Sequence, residues 1–366
     1  MAEKVKIGII GVGQIGTHHL EAYAKLPVEI VAAADVSEEA LKLASEGFCI
    51  KHTFTDFRKL LAMDEIVAVD VCLHNNYHAP VTIAALEAGK NVYCEKPIAG
   101  SYADGREMVA AAKRTGKMLS IQLGTLFSLA TKATQRLIEG GYLGELYHAK
   151  SIGYRRRGRP YVDGYGTSSF VQKSIAAGGA MYDMAVYHIA QMLYLLGNPA
   201  IETVSGATHQ EVGMYEDRRK SGKYDVEELA IAFVRLAGGI SFFLEESWAV
   251  NAGQPHGSEL HGSKGGVRLS PFAYYSTIAD MEMDGTFDLE SANTRWHRCI
   301  PNTDAYDGPQ PHWVAALQGR VPLIDTAGIA LNTMKISEGV FMSQKLGREV
   351  PGAEIEKETK SSAVKV

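Results

Sequence analysis

Cysteine is scarce and unpaired in this chain of 366 residues. Cys49, Cys72, Cys94 and Cys299 lie far apart, without the spacing of a disulfide framework or a zinc site. Cys72 and Cys94 fall in apolar, strand-like runs and read as buried thiols. No apolar run is long enough to span a bilayer, and Met1-Ala2-Glu3-Lys4 opens no apolar targeting segment. Excess positive charge is missing too. The 37 basic and 42 acidic residues leave a net charge of −5, which argues against a nucleic-acid partner. Internal repeats and low-complexity tracts are absent. What remains is the expectation of a soluble, cytoplasmic protein with no membrane, nucleic-acid or metal partner. The length suits two domains, and a hydrophobic content of 46% can fill sizeable cores.

The first third alternates between two patterns. Val5–Ile10 is a continuous apolar run, as expected of a parallel strand buried on both faces. Helical spacing follows over Gln14–Lys25, then a strand at Val28–Ala34 and a helix at Ser37–Ser45 that Ser37 can cap. Further on come a short helix at Asp56–Met63, a strand at Ala68–Leu73, and a helix at Ala79–Ala88 closed by Gly89. Asn91–Cys94 reads as a strand, Asp104–Thr115 as a helix closed by Gly116, and Met118–Gln122 as the last strand. Strict alternation predicts an α/β, doubly wound parallel sheet of the Rossmann type over residues 1–123.

Residues 124–350 read as an α+β domain with a large open, mostly antiparallel sheet. Its expected strands are Leu146–Tyr154, Ile201–Thr208, Glu227–Leu236 and Ile240–Val250, with tight turns at Ala237-Gly238-Gly239 and Ser263-Lys264-Gly265. Helices are expected at Leu126–Ile138, Ala177–Leu196 and Thr326–Leu346, the last stopping at Gly347. Residues 351–366 form a tail whose polar end, Glu354–Val366, reads as mobile.

Gly11-Val12-Gly13-Gln14-Ile15-Gly16 joins a strand to a helix, the context a dinucleotide fingerprint needs. Gly11 permits the tight turn, Gly13 leaves room for a pyrophosphate, and Gly16 lets helix and sheet pack closely. Gln14 and Ile15 open a helix whose free N–H groups and dipole favour phosphate. Asp35 ends the second strand, where a carboxylate would accept bonds from a ribose 2′-hydroxyl and repel a 2′-phosphate. NAD is therefore favoured over NADP. Other residues fall beyond the carboxyl ends of strands, where such sheets bind ligands. These are His74, Asn75 and His78 after the third long strand, Glu95 and Lys96 after the next, and Gln122 at the end of the last. A desolvated Lys96 beside a cationic nicotinamide would have a lowered pKa, suited to exchanging a proton with a substrate hydroxyl.

With the glycine turn, three further stretches carry a resemblance. They are Val69-Asp70-Val71-Cys72-Leu73-His74-Asn75 with His78, Glu95-Lys96-Pro97, and Ala177-Gly178-Gly179-Ala180-Met181-Tyr182-Asp183. From Val5 to about Val350 the chain resembles the Gfo/Idh/MocA oxidoreductases, named for glucose–fructose oxidoreductase and inositol dehydrogenase. The resemblance implies NAD(P)-dependent oxidation or reduction of sugar and cyclitol hydroxyls, with Lys96 catalytic. It also implies an aspartate at Asp183 and a proton-exchanging partner four residues on, one helical turn away. That position is Tyr187, where many relatives have histidine. His188 follows as the alternate, about 100° further round an ideal helix. Lys173 and Arg156 are expected to bind substrate. Arg156 belongs to the basic cluster Arg155-Arg156-Arg157-Gly158-Arg159, which reads equally well as a solvated face or a subunit contact. Where many relatives carry an arginine, Gly124-Thr125-Leu126-Phe127 gives a smaller, less basic wall. His256, Asp307, Gln310, His312 and Trp313 stand where relatives complete the pocket, although each reads first as structural.

The resemblance points to a dehydrogenase of a pyranose, a glycoside (at its 3-hydroxyl) or a cyclitol, assembled as a homodimer or homotetramer. Three rivals accompany it. They are a redox-neutral glycosidase that oxidises and eliminates, a non-catalytic NAD- and sugar-binding regulator, and a dihydrodiol or imine reductase.

Overall fold

The computed structural model describes residues 4–253 and 257–366. Six strands build the first sheet: β1 (Val5–Ile10), β2 (Val28–Ala34), β3 (His52–Phe54), β4 (Ala68–Val71), β5 (Asn91–Cys94) and β6 (Leu119–Ile121). All pair in parallel, in the order β3-β2-β1-β4-β5-β6. The order reverses between β1 and β4, so the crevice beyond their carboxyl ends is the ligand position of a doubly wound sheet. Ile7, Ile9, Ala68, Val69, Val71 and Val92 are buried, as strands covered on both faces require. Ser37, Asp56 and Ser101 cap the helices that follow them, accepting the N–H groups of Ala40, Arg58 and Asp104. Sequence periodicity did not reveal β3, a three-residue edge strand with an exposed pattern. The helix expected at Ala79–Ala88 begins earlier, spanning Asn75–Glu87.

Nine strands build the second sheet: β7 (Leu146–Tyr154), β8 (Ile201–His209), β9 (Leu229–Leu236), β10 (Ile240–Ser247), β11 (Glu259–Gly262), β12 (Gly265–Leu269), β13 (Phe272–Ile278), β14 (Met281–Gly285) and β15 (Val350–Pro351). Their order is β14-β13-β12-β11-β7-β10-β9-β8-β15. Every pair is antiparallel except β7 with β10. Ala149, Val204, Val234, Phe242 and Leu244 point into the core beneath the helices. On the opposite face Ile152, Ile231, Phe233 and Phe243 are only partly covered. The turns at residues 237–239 and 263–265 connect strands as expected, while β13 and β14 were not anticipated.

Two expected helices are broken. Residues 126–138 divide into a 3-10 turn (Gly124–Phe127) and a helix (Leu129–Glu139), because Ser128 turns out of the helical path to cap Thr131. Residues 177–196 divide at Met184 into Ala180–Asp183 and Ala185–Leu195. The tail is not free. Gly352–Glu358 is helical with Ile355 buried, and Ser361 and Ser362 bind the Asp104 carboxylate of the first domain. Polarity suggested mobility, but those polar groups have acceptors on the neighbouring domain.

Helix Thr326–Leu346 lies along β8 and also reaches the edge strand β6. The Thr326 hydroxyl accepts the Ile121 N–H at 2.8 Å and bonds the Ser120 hydroxyl at 3.1 Å. This satisfies an edge N–H that is sealed from water. Replacing Thr326 with the isosteric valine leaves that donor unsatisfied. Urea unfolding should show Thr326→Val destabilised by about 1–3 kcal/mol.

Candidate active site

The glycine turn divides its residues between fold and ligand. Gly11 has φ +92°, and a Cβ there would lie 2.3 Å from the Cys72 carbonyl oxygen. A Cβ on Gly16 would lie 2.1 Å from the Gly11 carbonyl oxygen. Both glycines are required by packing alone. Gly13 is different, because a Cβ there would meet nothing within 4 Å. It opens helix Gln14–Tyr23 without a side-chain cap, so the first-turn N–H groups face an open cradle. Ile15 is 41% exposed at that cradle. These residues fit a dinucleotide pyrophosphate. Asp35 stands at the end of β2, where its carboxylate accepts the N–H groups of Val12 (2.8 Å) and Ser37 (2.9 Å) and so braces the turn.

Other expected cofactor contacts divide as well. His74 and Asn75 line a narrow cleft with Lys96, Phe170, Tyr182 and Asp183. Asn75 also donates to the Ala176 carbonyl at 2.7 Å, tying the two domains. Gln122 accepts the Tyr93 hydroxyl at 2.7 Å. His78 does not reach the cleft, contrary to expectation. Its ring is fully buried between the carbonyls of Pro97 (2.8 Å) and Leu73 (2.9 Å), so it supports the Lys96 loop instead.

Lys96 leaves the end of β5 and meets the second domain. Its ammonium donates to Asp183 Oδ1 and to the Asp183 carbonyl, both at 2.9 Å, and lies 4.5 Å from the Tyr187 ring centroid. Trp248, just after β10, donates its indole N–H to Asp183 Oδ2 at 3.0 Å. Both oxygens of the carboxylate are therefore fixed. The Thr125 hydroxyl donates to the Tyr187 carbonyl at 2.7 Å, which gives the short 3-10 turn a positioning role. Burial alone would lower the Lys96 pKa. Asp183, Tyr187 and Glu95 outweigh it and hold the ammonium well above the ordinary lysine range. Among the protein's own groups the shift runs opposite to the depression expected beside a cationic nicotinamide. Burial pushes Asp183 up, but Lys96 more than offsets it, and the carboxylate titrates below its usual range. Burial raises the Tyr187 phenol.

Glu95 does not pair with the Lys96 ammonium at bonding distance. One of its oxygens accepts the Lys96 backbone N–H at 2.9 Å and the other bonds His19 at 2.9 Å. His19 in turn bonds Asp70 at 2.7 Å. Sequence reading overlooked His19 and Trp248. One signal was present for the former: an aspartate, Asp70, inside an otherwise apolar strand must find a partner.

The remaining candidates lie apart from Lys96. His188 bonds both oxygens of the fully buried Glu246, at 2.9 and 3.1 Å. Burial would lower this imidazole, but Glu246 raises it above the ordinary histidine value. The arginine cluster splits. Arg159 is fully buried between Asp163 and Glu228, each at 2.8 Å. Arg155 is exposed and bonds the Tyr165 hydroxyl at 2.6 Å, and its charge reaches Asp183 and His188. Arg156 and Arg157 are exposed. Lys173 is not brought to this group. Its ammonium lies 5.4 Å from the Phe341 ring centroid, and the residue lines a separate pocket with Asp225 and Glu227. Asp307 pairs with His297, His312 accepts the Ile324 N–H, and Trp313 is buried against Tyr93. Gln310 is buried, while His256 lies outside the described residues.

Residues 5–123 match the model described as oxidoreductase family, NAD-binding Rossmann fold, and residues 131–268 match the GFO/IDH/MocA C-terminal domain. The chain belongs to the Gfo/Idh/MocA family of NAD-binding oxidoreductases. Among its relatives is D-glucoside 3-dehydrogenase of Escherichia coli, 29% identical over 355 residues, which are 94% of this chain and 97% of that one. Another is myo-inositol 2-dehydrogenase of Thermotoga maritima, 27% identical over 264 residues, which are 72% and 74% of the two chains. A levoglucosan dehydrogenase solved with NADH and levoglucosan shares the fold. Its TM-score is 0.76 at 21% identity, with 95% of this chain and 99% of that one covered.

The contrast between Gly11 and Gly13 is open to test. Gly13→Val should leave the thermal midpoint of the cofactor-free protein unchanged, because its side chain enters open space. A pyrophosphate in that space would meet the new side chain, so NAD binding should weaken at least about tenfold in a fluorescence titration.

Proposed function

We propose that this family member is a sugar dehydrogenase. It would move hydride between a secondary hydroxyl of a pyranose, glycoside or cyclitol and NAD, the 3-hydroxyl of a glycoside being the first choice. One observation carries the reading: a lysine from the dinucleotide domain meets a carboxylate of the second domain in a single cleft, with the Tyr187 ring against its ammonium. The likeness to D-glucoside 3-dehydrogenase over 94% of the chain supports the choice of substrate. On this reading residues 1–123 hold the dinucleotide, residues 124–350 hold the substrate, and residues 351–366 form a C-terminal tail.

The glycine turn at Gly11–Gly16 would hold NAD, which would supply the hydride acceptor for the carbinol carbon. The residues manage the proton. In alcohol oxidation the Lys96 amine takes the hydroxyl proton as the carbonyl forms, and in reduction the Lys96 ammonium returns it. Asp183 fixes the ammonium, and Trp248 fixes Asp183. Tyr187, kept protonated by burial, can donate to the reacting oxygen. His188 and Arg156, which lie apart from Lys96, would take more distant hydroxyls. The negative Asp35 supports NAD over NADP. The partly uncovered apolar face of the nine-stranded sheet supports a homodimer or homotetramer. Four free cysteines suit the cytoplasm. Among the described residues no helix is long and apolar enough to cross a membrane.

A panel of sugars and glycosides with NAD and NADP, followed at once for NADH and for released aglycone, tests the reading. NADH without aglycone is the expected result, and aglycone without net NADH would move the protein to redox-neutral glycoside cleavage. Lys96→Ala should lower kcat/KM by about 10²–10⁴-fold. Oxidation needs the free amine and the resting state is the ammonium, so its rate should rise with pH on the alkaline side. Asp183→Asn removes the carboxylate that holds the proton on Lys96. In the pH profile of kcat/KM it should move that limb to lower pH by about 1–3 units.

A further inference from the structure

Beneath Lys96 lies a set of buried charges that hydride transfer itself does not use. His19 projects from helix Gln14–Tyr23, Asp70 from β4 and Glu95 from the end of β5. His19 is 3% exposed, with Asp70 Oδ2 2.7 Å from Nδ1 and Glu95 Oε1 2.9 Å from Nε2. A neutral imidazole carries one N–H, so two carboxylate acceptors on one ring call for the doubly protonated cation. Its buried charge is tolerable because both sides are paired. The second Glu95 oxygen holds the Lys96 backbone N–H. Two carboxylates and one imidazolium leave one net negative charge at the root of Lys96.

We propose that Asp70, His19 and Glu95 form a buried anionic seat for Lys96, with His19 as a positioning residue that keeps Glu95 ionised and aimed. Glu95 then fixes the Lys96 peptide and biases the side chain toward its ammonium form. This rests on the reading of Lys96 as the proton-exchanging group. The groups facing His19 are Asp70, Cys72, Tyr93 and Glu95, with Tyr23 against Asp70. Those facing Lys96 are Asp183, Tyr187, Glu95 and Tyr165, with Arg155 acting on Asp183. Cys72 is a neutral member of the cluster, because burial drives its thiol far above the usual range. Burial would lower His19, and Asp70 reverses the sign. Burial would raise Glu95, and His19 reverses that.

The position of the charge separates this seat from simple packing. Glu95→Gln removes the carboxylate that faces Lys96, whichever charge His19 then keeps. Asp70→Asn preserves that carboxylate, because His19 then becomes neutral, donates from Nε2 to Glu95 and accepts the new amide at Nδ1. His19→Asn reaches only Asp70 and leaves Glu95 Oε1 without its imidazolium donor, so burial favours the protonated carboxyl. His19→Gln places an amide donor near Nε2 and retains the Glu95 bond. Lys96 is titrated in two ways: by the alkaline limb of kcat/KM for alcohol oxidation, and by the side-chain resonance of 15N-lysine-labelled protein without cofactor. Glu95→Gln and His19→Asn should lower its pKa by about one unit or more. Asp70→Asn and His19→Gln should leave it where the unsubstituted protein has it. A resonance unmoved by Glu95→Gln overturns the seat whatever the turnover. So does one moved as far by Asp70→Asn. Should His19→Asn not fold, Glu95→Gln and His19→Gln decide. Undiminished turnover in Lys96→Ala overturns the reading of Lys96 instead and leaves the resonance test standing.

Discussion

The ion pair between Lys96 and Asp183 is the contact on which the cleft depends. It joins the two domains across the site, with the ammonium and carboxylate side chains only 12% and 22% exposed. Removing two charges from water costs several kcal/mol apiece, and mutual attraction restores this only where hydrogen bonds satisfy what remains. Here they do. The ammonium takes a carboxylate oxygen, a carbonyl and an aromatic face, and the second carboxylate oxygen takes an indole N–H. A pair so enclosed has a defined geometry, which a solvated surface pair would lack.

Each partner reaches the cleft from a short irregular segment anchored by regular structure. Lys96 follows the last residues of a buried strand, where the Glu95 carboxylate and the His78 ring hold the loop from beneath. Asp183 ends one turn of helix, and Met184 interrupts the path before Ala185–Leu195 begins. An unbroken helix would stack Asp183 and Tyr187 on one face. Met184 keeps right-handed helical dihedrals at this interruption, and Asp183 takes the ammonium by its carboxylate while Tyr187 covers it with its ring.

Most of the first sheet was legible because its strands are buried on both faces and its glycines sit at obligatory turns. The same physics explains what was missed. β3 is short and exposed at an edge, so it has no apolar run to read. β14 is mostly exposed and stabilised by its neighbour, and helix Leu289–Cys299 has no buried residue at all. In the site, Lys96, Asp183 and Tyr187 came from motifs, whereas Trp248 and His19 act through contacts separated by 65 and 76 residues in sequence. No local pattern encodes such a meeting. Asp70 was the one local irregularity that did, since an ionisable side chain within a buried strand demands a counterpart elsewhere.

Residue type alone did not divide structural from chemical roles, and burial did. Arg155 and Arg159 stand four residues apart in one basic run. Arg159 is sealed between Asp163 and Glu228 and also donates to the carbonyls of Val212 and Gly213, so its donors are consumed by the fold. Arg155 keeps an exposed guanidinium whose field reaches Asp183 and His188. Gly11 and Gly13 divide in the same way, one excluding a side chain by its neighbours and the other by nothing the protein contains. Gly13 stands at a helix N-terminus without a side-chain cap, so the open space beside it fits an anionic ligand group.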